Sequence, residues 1–314
     1  MGFMIDLRRL HVLRAVAHYG TVTAAARALH FTTSAASQQI RQLSRELGVD
    51  LLEPQGRGVR LTSAARGLLA HADAIQTRWE QAEHDLRAHD GELSGVLRVS
   101  GFPVAIAELL APMAAQLRAH HPRLSVHVRE AGVPESFDLL FEGETDLAVV
   151  EVTPHNPPRG DARFEQQPLM DDPFDLVVPD GHELAGRACV DLADAALEPW
   201  IAPVPYSPCR PHVLSACAAA GFTPDIVHHV LDWDVTAHLV AHGLGVALIP
   251  RLARLPSHLP LTRVRCAGDP HRKFLTCVRA GGTARPAVAA ALAQVRDLAA
   301  ALPGGCTARV RPGP

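Results

Sequence analysis

From Leu61 to Leu86, apolar residues recur at alternating spacings of four and three: Leu61, Ala65, Leu68, Ala72, Ile75, Trp79, Ala82 and Leu86. Such a stripe predicts one long helix, capped by Thr62 and running to about His89, with a heptad seam too narrow to bury within its own chain. The other faces carry Arg78, Glu80, Glu83, Asp85 and Arg87, which belong in water. The seam therefore predicts a two-stranded coiled coil, with those eight apolar residues at the dimer contact. It also divides the 314-residue chain into a short head, a rod and a long body.

The head reads as three short helices and a hairpin. Leu7, Leu10, Leu13 and Val16 give the first helix one apolar face, ended by Gly20. Thr23 is the expected cap of a second helix with Ala25, Ala26 and Leu29 inward. After the turn His30-Phe31-Thr32, a third helix starts at Thr32 or Thr33 and runs to about Leu47, where Gly48 stops it. Ala36, Ile40 and Leu43 face inward, and the small residues Ala25 and Ala36 allow two helices to cross closely.

The outward face of the third helix carries Thr33, Ser34, Ser37, Gln38, Arg41 and Arg45. Short hydroxyls can approach base edges, Gln38 can pair with adenine N6 and N7, and arginines can hold phosphates. On an isolated helix this is an ordinary solvated face. The preceding helix, the turn length and the basic neighbours reverse that reading. The next stretch, QGRGVRLT, predicts a hairpin wing with Arg57 and Arg60 beside the groove. The expected DNA contacts are Thr32, Thr33, Ser34, Ser37, Gln38, Arg41, Arg57 and Arg60.

Charge supports the division of labour. Residues 1–66 hold nine arginines against four carboxylates, a net of +5, whereas the whole chain carries -3. A basic head on an acidic body is expected if only the head meets phosphates. No apolar run approaches the ~20 residues that span a bilayer, and the start lacks a secretory signal pattern, so the cytoplasm is the expected compartment. Six scattered cysteines form no CxxC pair and are expected to be reduced. The doublets His120-His121 and His228-His229 lack metal-ligand spacing, and no metal or cofactor is expected.

Beyond a hinge at Gly91–Gly95, strands and helices alternate. Strands are expected at Val96–Ser100, Leu124–Glu130 and Leu147–Val150, with helices ending near Ala119 and spanning Glu135–Phe141. A second set follows: strands Phe174–Val178, Trp200–Ala202, Ile226–Val230 and Val246–Ile249, with helices over Pro211–Ala220 and Val235–His242. Strand Phe274–Val278 and a helix from Pro286 return to the first set. This rhythm predicts parallel α/β architecture in two lobes with a ligand cleft between them.

The head from Leu7 to Thr62 resembles, end to end, the DNA-binding signature of the LysR-type transcriptional regulators. GVLRVSGFPVAIAELLAP, EGETDLAVVE, DDPFDLVVPDGHELA and GLGVALIP resemble that family's sensor landmarks. The resemblance implies an α+β multidomain chain with three parts: an N-terminal winged helix-turn-helix, a long linker helix, and a C-terminal two-lobed α/β sensor of the type 2 periplasmic-binding-protein kind. The expected bounds are 1–61 for the head and 62–90 for the linker. The sensor then covers 91–303, with lobe I over 95–160 and 268–303 and lobe II over 161–267, before a disordered tail at 304–314. The implied partners are double-stranded promoter DNA, a small-molecule effector, further copies of the chain as dimer and tetramer, and RNA polymerase.

Where family members often place a ligand-binding Ser or Thr, this chain has Val104, while Phe102 and Trp233 point to a ligand with an apolar part. By position the cleft candidates are Ser100, Phe102, Val104, Gly132, Ala202, Pro203, Asp232 and Trp233. Thr33-Ser34 stands where a Gln-Pro pair is common, and Pro54 replaces a wing arginine. An enzyme or solute-binding protein on the same two-lobed fold is the rival from another class. No GxSxG, HExxH or nucleotide fingerprint is present, and no catalytic residue is assigned. Asp171 and Asp172, adjacent in sequence, cannot share a site from a strand and read as surface acids. A cysteine redox-sensing regulator is the second rival, because Cys209 and Cys217 lie where peroxide-sensing members carry switching cysteines. Eight residues of helix would hold them about 12 Å apart, beyond the roughly 7 Å a disulfide tolerates.

Overall fold

The computed structural model describes residues 7–55, 58–69, 71 and 93–302, which fall into two compact units, one on either side of residue 86. In the first unit α1 (Leu7–Tyr19), α2 (Val22–Ala28) and α3 (Thr33–Leu47) pack together, followed by the hairpin β1 (Leu52–Gln55) and β2 (Gly58–Leu61). Leu10, Leu13, Val16, Ala25, Ala26, Ala36, Ile40 and Leu43 are all buried in one core. The apolar spacing is what selects these faces. Gly48 takes the left-handed conformation that ends α3 (φ 67°).

Thr32 caps α3: its Oγ1 accepts from the Ala35 backbone N–H at 3.1 Å. The cap of α2 is Thr21, not Thr23. Gly20 turns the chain in the left-handed region, Thr21 follows in extended conformation, and its Oγ1 accepts from Ala24 N–H. The helix thus starts as soon as the turn releases the chain, leaving Thr23 exposed inside it.

Thr62 caps the next helix, accepting from Ala65 N–H while donating to the Asp50 carbonyl, and residues 63–69 are helical. Here the dimer seam needs a correction. Ala65 is fully buried in the head's own core, and Leu61 and Leu68 pack on the same core. A residue with no exposed surface in one chain cannot form a contact with a second. The first turn of the stripe therefore docks the helix onto the head. Ala72, Ile75, Trp79, Ala82 and Leu86 lie outside the described residues.

The second unit is built on eight strands in the order β4-β3-β5-β12-β6-β11-β7, with β10 also paired to β6. They are β3 (Gly95–Gly101), β4 (Leu124–Glu130), β5 (Leu147–Glu151), β6 (Phe164–Pro179), β7 (Cys189–Val190), β10 (Ala247–Pro250), β11 (Leu261–Cys266) and β12 (His271–Arg279). A separate parallel pair is made by β8 (Pro199–Pro203) and β9 (Asp225–Val230). The 16-residue β6 crosses from one lobe to the other. Its first half, to Pro173, pairs with β12, and its second half, from Phe174, lies between β10 and β11.

The sheet is mixed rather than parallel. β3 runs parallel to β4 and β5, but β12 runs antiparallel to β5 and β6, as β10 and β11 do to β6. The cause is β6 itself, which enters the second lobe as an unbroken strand rather than through a helical crossover. The sequence reading also missed the Phe164–Pro173 half of β6, together with β7 and β11. FEQQPLMDDP has no clean period-2 pattern, because much of it is half-exposed between the lobes.

A helical stretch from Pro103 to His120, with a π-helical turn at Ile106–Leu110, covers lobe I together with the helix Pro286–Ala301. Lobe II is packed around Trp200, Phe174, Leu176, Leu248 and Val213. Apolar contacts join the lobes: Val104 of the first packs on the Val177–Ile201–Ile249 cluster of the second, and Leu252 of the second is buried among the residues of the first.

Candidate functional site

The face of α3 opposite its buried stripe carries Thr33, Ser34, Gln38 and Arg41, all exposed, with Ser37 half-buried. Thr32 is committed to the cap, its hydroxyl also 3.0 Å from that of Ser34. The helix is held at its far end by a polar chain. Arg9 of α1 donates to Glu46, Gln42 donates to the same carboxylate at 2.7 Å, and Arg45 donates to Gln42 at 2.6 Å. The Arg9 hydrogen bond, helped by that of Gln42, holds the Glu46 carboxyl below its usual range. Arg45, placed on the reading face by sequence, is thus tied back along the helix. Arg41 stays extended into solvent. In the wing, Arg60 pairs with Glu53 at 2.6 Å across the hairpin, an exposed pair that a phosphate can displace at little cost. Arg57 lies outside the described residues.

In the sensor, the cleft candidates divide. Ser100 is fully buried at the end of β3, and its Oγ has no hydrogen-bond partner among the described residues. Phe102 and Val104 are half-buried at the start of the Pro103 helix, Phe102 meeting Phe274 edge-on at 4.9 Å. Ala202 and Pro203 are buried at the end of β8. Gly132 is exposed. Asp232 is exposed and serves as a helix cap, accepting from the N–H groups of Asp234 and Val235, and Trp233 packs half-buried on lobe II.

What the sequence did not reveal is a buried polar junction between the lobes. Arg272 of β12, only 2% exposed, donates through Nε and Nη2 to Asp172 of β6 at 2.9 and 2.8 Å. Its Nη1 reaches Glu151 of β5 at 3.3 Å and the Cys209 sulfur at 3.4 Å. The guanidinium also lies 5.2 Å from the Phe102 ring and 5.0 Å from that of Phe274. From lobe II, His212 brings Nε2 to 3.1 Å from Glu151 Oε1. The reading of Asp172 as a surface acid is corrected: it is fully buried, accepting from Arg272 and from the Leu252 N–H at 3.0 Å. Adjacent Asp171 points the other way, half-exposed toward His271. Burial pushes the Asp172 carboxyl above its usual value, against the pull of Arg272. No sequence signal links residues 100 positions apart.

The thiols bear on the redox rival. Burial pushes Cys209 up to about 12 and Cys217 up to about 11, so both stay protonated at neutral pH. Cys209 precedes the helix Arg210–Ala219 and Cys217 is buried near its end, so an intact helix keeps them apart. Mild peroxide should leave the Cys209 and Cys217 peptides in their free-thiol form, read by alkylation and mass spectrometry. A Cys209–Cys217 disulfide in that experiment would overturn this assignment.

Family comparison places both units. The bacterial regulatory helix-turn-helix protein, lysR family, matches residues 7–66, and the LysR substrate binding domain matches residues 90–300. This chain belongs to the LysR family. The HTH-type transcriptional regulator ShiR of Corynebacterium glutamicum is 31% identical over 247 residues, spanning 78% of this chain and 82% of that protein. AlsR of Bacillus subtilis, also an HTH-type transcriptional regulator, is 29% identical over 264 residues, 82% of this chain and 84% of that one. Among solved structures, the LysR family regulator HinK of Pseudomonas aeruginosa has a TM-score of 0.58 at 22% identity, over 94% of this chain and 99% of HinK. Full-length BenM gives 0.55 at 22% identity, over 94% and 97%. These show a shared fold. The LysR-type chain is thus a DNA-binding transcription regulator with an effector-binding domain, and no described helix is long and apolar enough to cross a membrane.

Proposed function

We propose that this LysR-type regulator reads its operator with Thr33, Ser34, Ser37 and Gln38 of α3, holds the DNA backbone with Arg41, Arg57 and Arg60, and changes its promoter contacts when an effector enters the interlobe cleft. The observation that carries this is the two-sidedness of α3. Ala36, Ile40 and Leu43 are buried while Thr33, Ser34, Gln38 and Arg41 are exposed, so the polar face is presented by a rigid core rather than by a loop.

The test separates base reading from phosphate holding. Gln38→Ala should cost about 1–3 kcal/mol on the matched operator and relax preference at one base pair. Arg41→Ala should weaken matched and scrambled sites alike and flatten the salt dependence. Fluorescence anisotropy across a salt series reads both. Equal losses for both variants on both sites would sink the division of roles.

Self-association follows from what the sensor leaves uncovered. β4 is an edge strand with most of its residues exposed, Val128 among them, and Val227 of β9 and Leu214 of the Arg210–Ala219 helix are also exposed apolar groups. Exposed edges and apolar patches of this kind need a cover, and a second copy supplies one. Together with the linker contact expected from the apolar stripe, this gives a homodimer and, through two kinds of contact, a homotetramer. The setting is the bacterial cytoplasm, with RNA polymerase as the downstream partner.

A further inference from the structure

At the polar junction between the lobes one guanidinium, Arg272, donates to two carboxylates, Asp172 and Glu151, all 5% exposed or less. Asp172 is satisfied: Oδ2 accepts twice from Arg272 and Oδ1 accepts from Leu252. Glu151 is not. Its Oε2 receives Arg272 Nη1 and lies 3.9 Å from the Cys209 thiol, but Oε1 has no partner in hydrogen-bond geometry among the described residues. His212 Nε2 stands 3.1 Å from that oxygen, off the line a hydrogen bond needs. A buried carboxylate oxygen left open is costly, so the arrangement persists only where something else completes it.

The place is the one where a ligand would sit. Glu151 ends β5 and Ser100 and Gly101 end β3, neighbouring parallel strands whose carboxyl ends face the crevice in open α/β sheets. Cys209 and His212 come from the other lobe, so the junction floors the interlobe cleft. His212 is its most open member, with a side chain 29% exposed, which marks the entrance. Phe102, with Arg272 against its ring, supplies an apolar wall. Arg272 is used up by its own two carboxylates and its two rings, so it has little left for an incoming anion.

We infer that the cleft selects an effector carrying a protonated nitrogen, an ammonium or amidinium on an apolar body, which donates to Glu151 Oε1 after the His212 ring swings aside. This rests on the cleft being the effector site. An anion is the wrong sign for this floor, since a carboxylate would meet Glu151 and Asp172 while Arg272, which donates to both, is already paired.

Three probes of one size test the charge: benzylammonium, benzyl alcohol and benzoate, each titrated into the full chain while its thermal midpoint is followed. Benzylammonium should raise the midpoint by roughly 2–5 °C at ten times its dissociation constant, and the other two should raise it little. Glu151→Gln, which keeps the shape, should abolish the benzylammonium shift. The probe comparison on the unmodified chain needs no variant to fold. A larger shift with benzoate or benzyl alcohol overturns the charge assignment and leaves the cleft reading standing. A flat response to all three overturns the inference and counts against the cleft as well. A benzylammonium shift that survives Glu151→Gln places the nitrogen elsewhere and overturns it too.

Discussion

Arg272→Ala should lower the stability of the sensor by about 3–5 kcal/mol, the usual cost of leaving buried charges without their partner. The argument is one of geometry. Among the described residues only Arg272 donates to both Asp172 and Glu151, and neither carboxylate has water to turn to, since both are nearly or fully buried. Removal also strips the cation from between Phe102 and Phe274 and leaves a void the length of an arginine side chain. Asp172→Asn should cost less, because it leaves Arg272 and Glu151 as a one-to-one pair with no buried charge stranded. Urea midpoints of the three proteins give the comparison. If Arg272→Ala falls within 1 kcal/mol of the parent, the junction is solvated and its role as the floor of the cleft is lost.

Gly245→Ala should be nearly as damaging, for steric reasons alone. Gly245 has φ +146°, and a Cβ built there would sit 2.4 Å from the Pro199 carbonyl oxygen. That oxygen accepts from Val246 N–H at 2.9 Å, and Ile201 N–H donates back to the Val246 carbonyl at 2.9 Å. A methyl group must push β8 away from this segment and break the bridge between Trp200 and Val246. Strain of about 1–3 kcal/mol and two lost hydrogen bonds of about 1 kcal/mol each put the total near 3–5 kcal/mol. Gly186→Ala is the control: its Cβ would meet nothing within 4 Å and its φ is ordinary, so it should be neutral. Equal midpoints for the two alanine variants would show that lobe II yields at Pro199 without cost.

The head was legible almost residue by residue, because its signals are local. Gly20, Thr32 and Gly48 punctuate the chain within one turn of the helices they bound, and the apolar spacing names Ala36, Ile40 and Leu43 directly. The sensor's regular strands were legible for the same reason: Leu124–Glu130 runs over the residues its pattern marks. Failures came where a long-range contact decides. Ala65 fits a dimer seam and an intrachain core equally well by spacing, and only the fold shows that the head claims it. Asp172 looked like half of a solvated pair until Arg272 arrived beside it. The exposed polar face of α3 was therefore visible in the sequence, while the buried junction between the lobes was not.

β6 has a consequence for how such sensors can diverge. It runs from one lobe into the other, so the two faces of the sheet in both lobes are set by a single piece of backbone. Deleting one residue near Pro173 would move each later residue of β6 to the opposite face, sending Val177 into the cluster of Phe174 and Leu176 and those two into its own. The backbone passes between the lobes at the Pro173–Phe174 junction of this strand and again at the turn before His271. A chimera that borrows another regulator's specificity must therefore splice at both seams in matching register, or the grafted half arrives facing the wrong way.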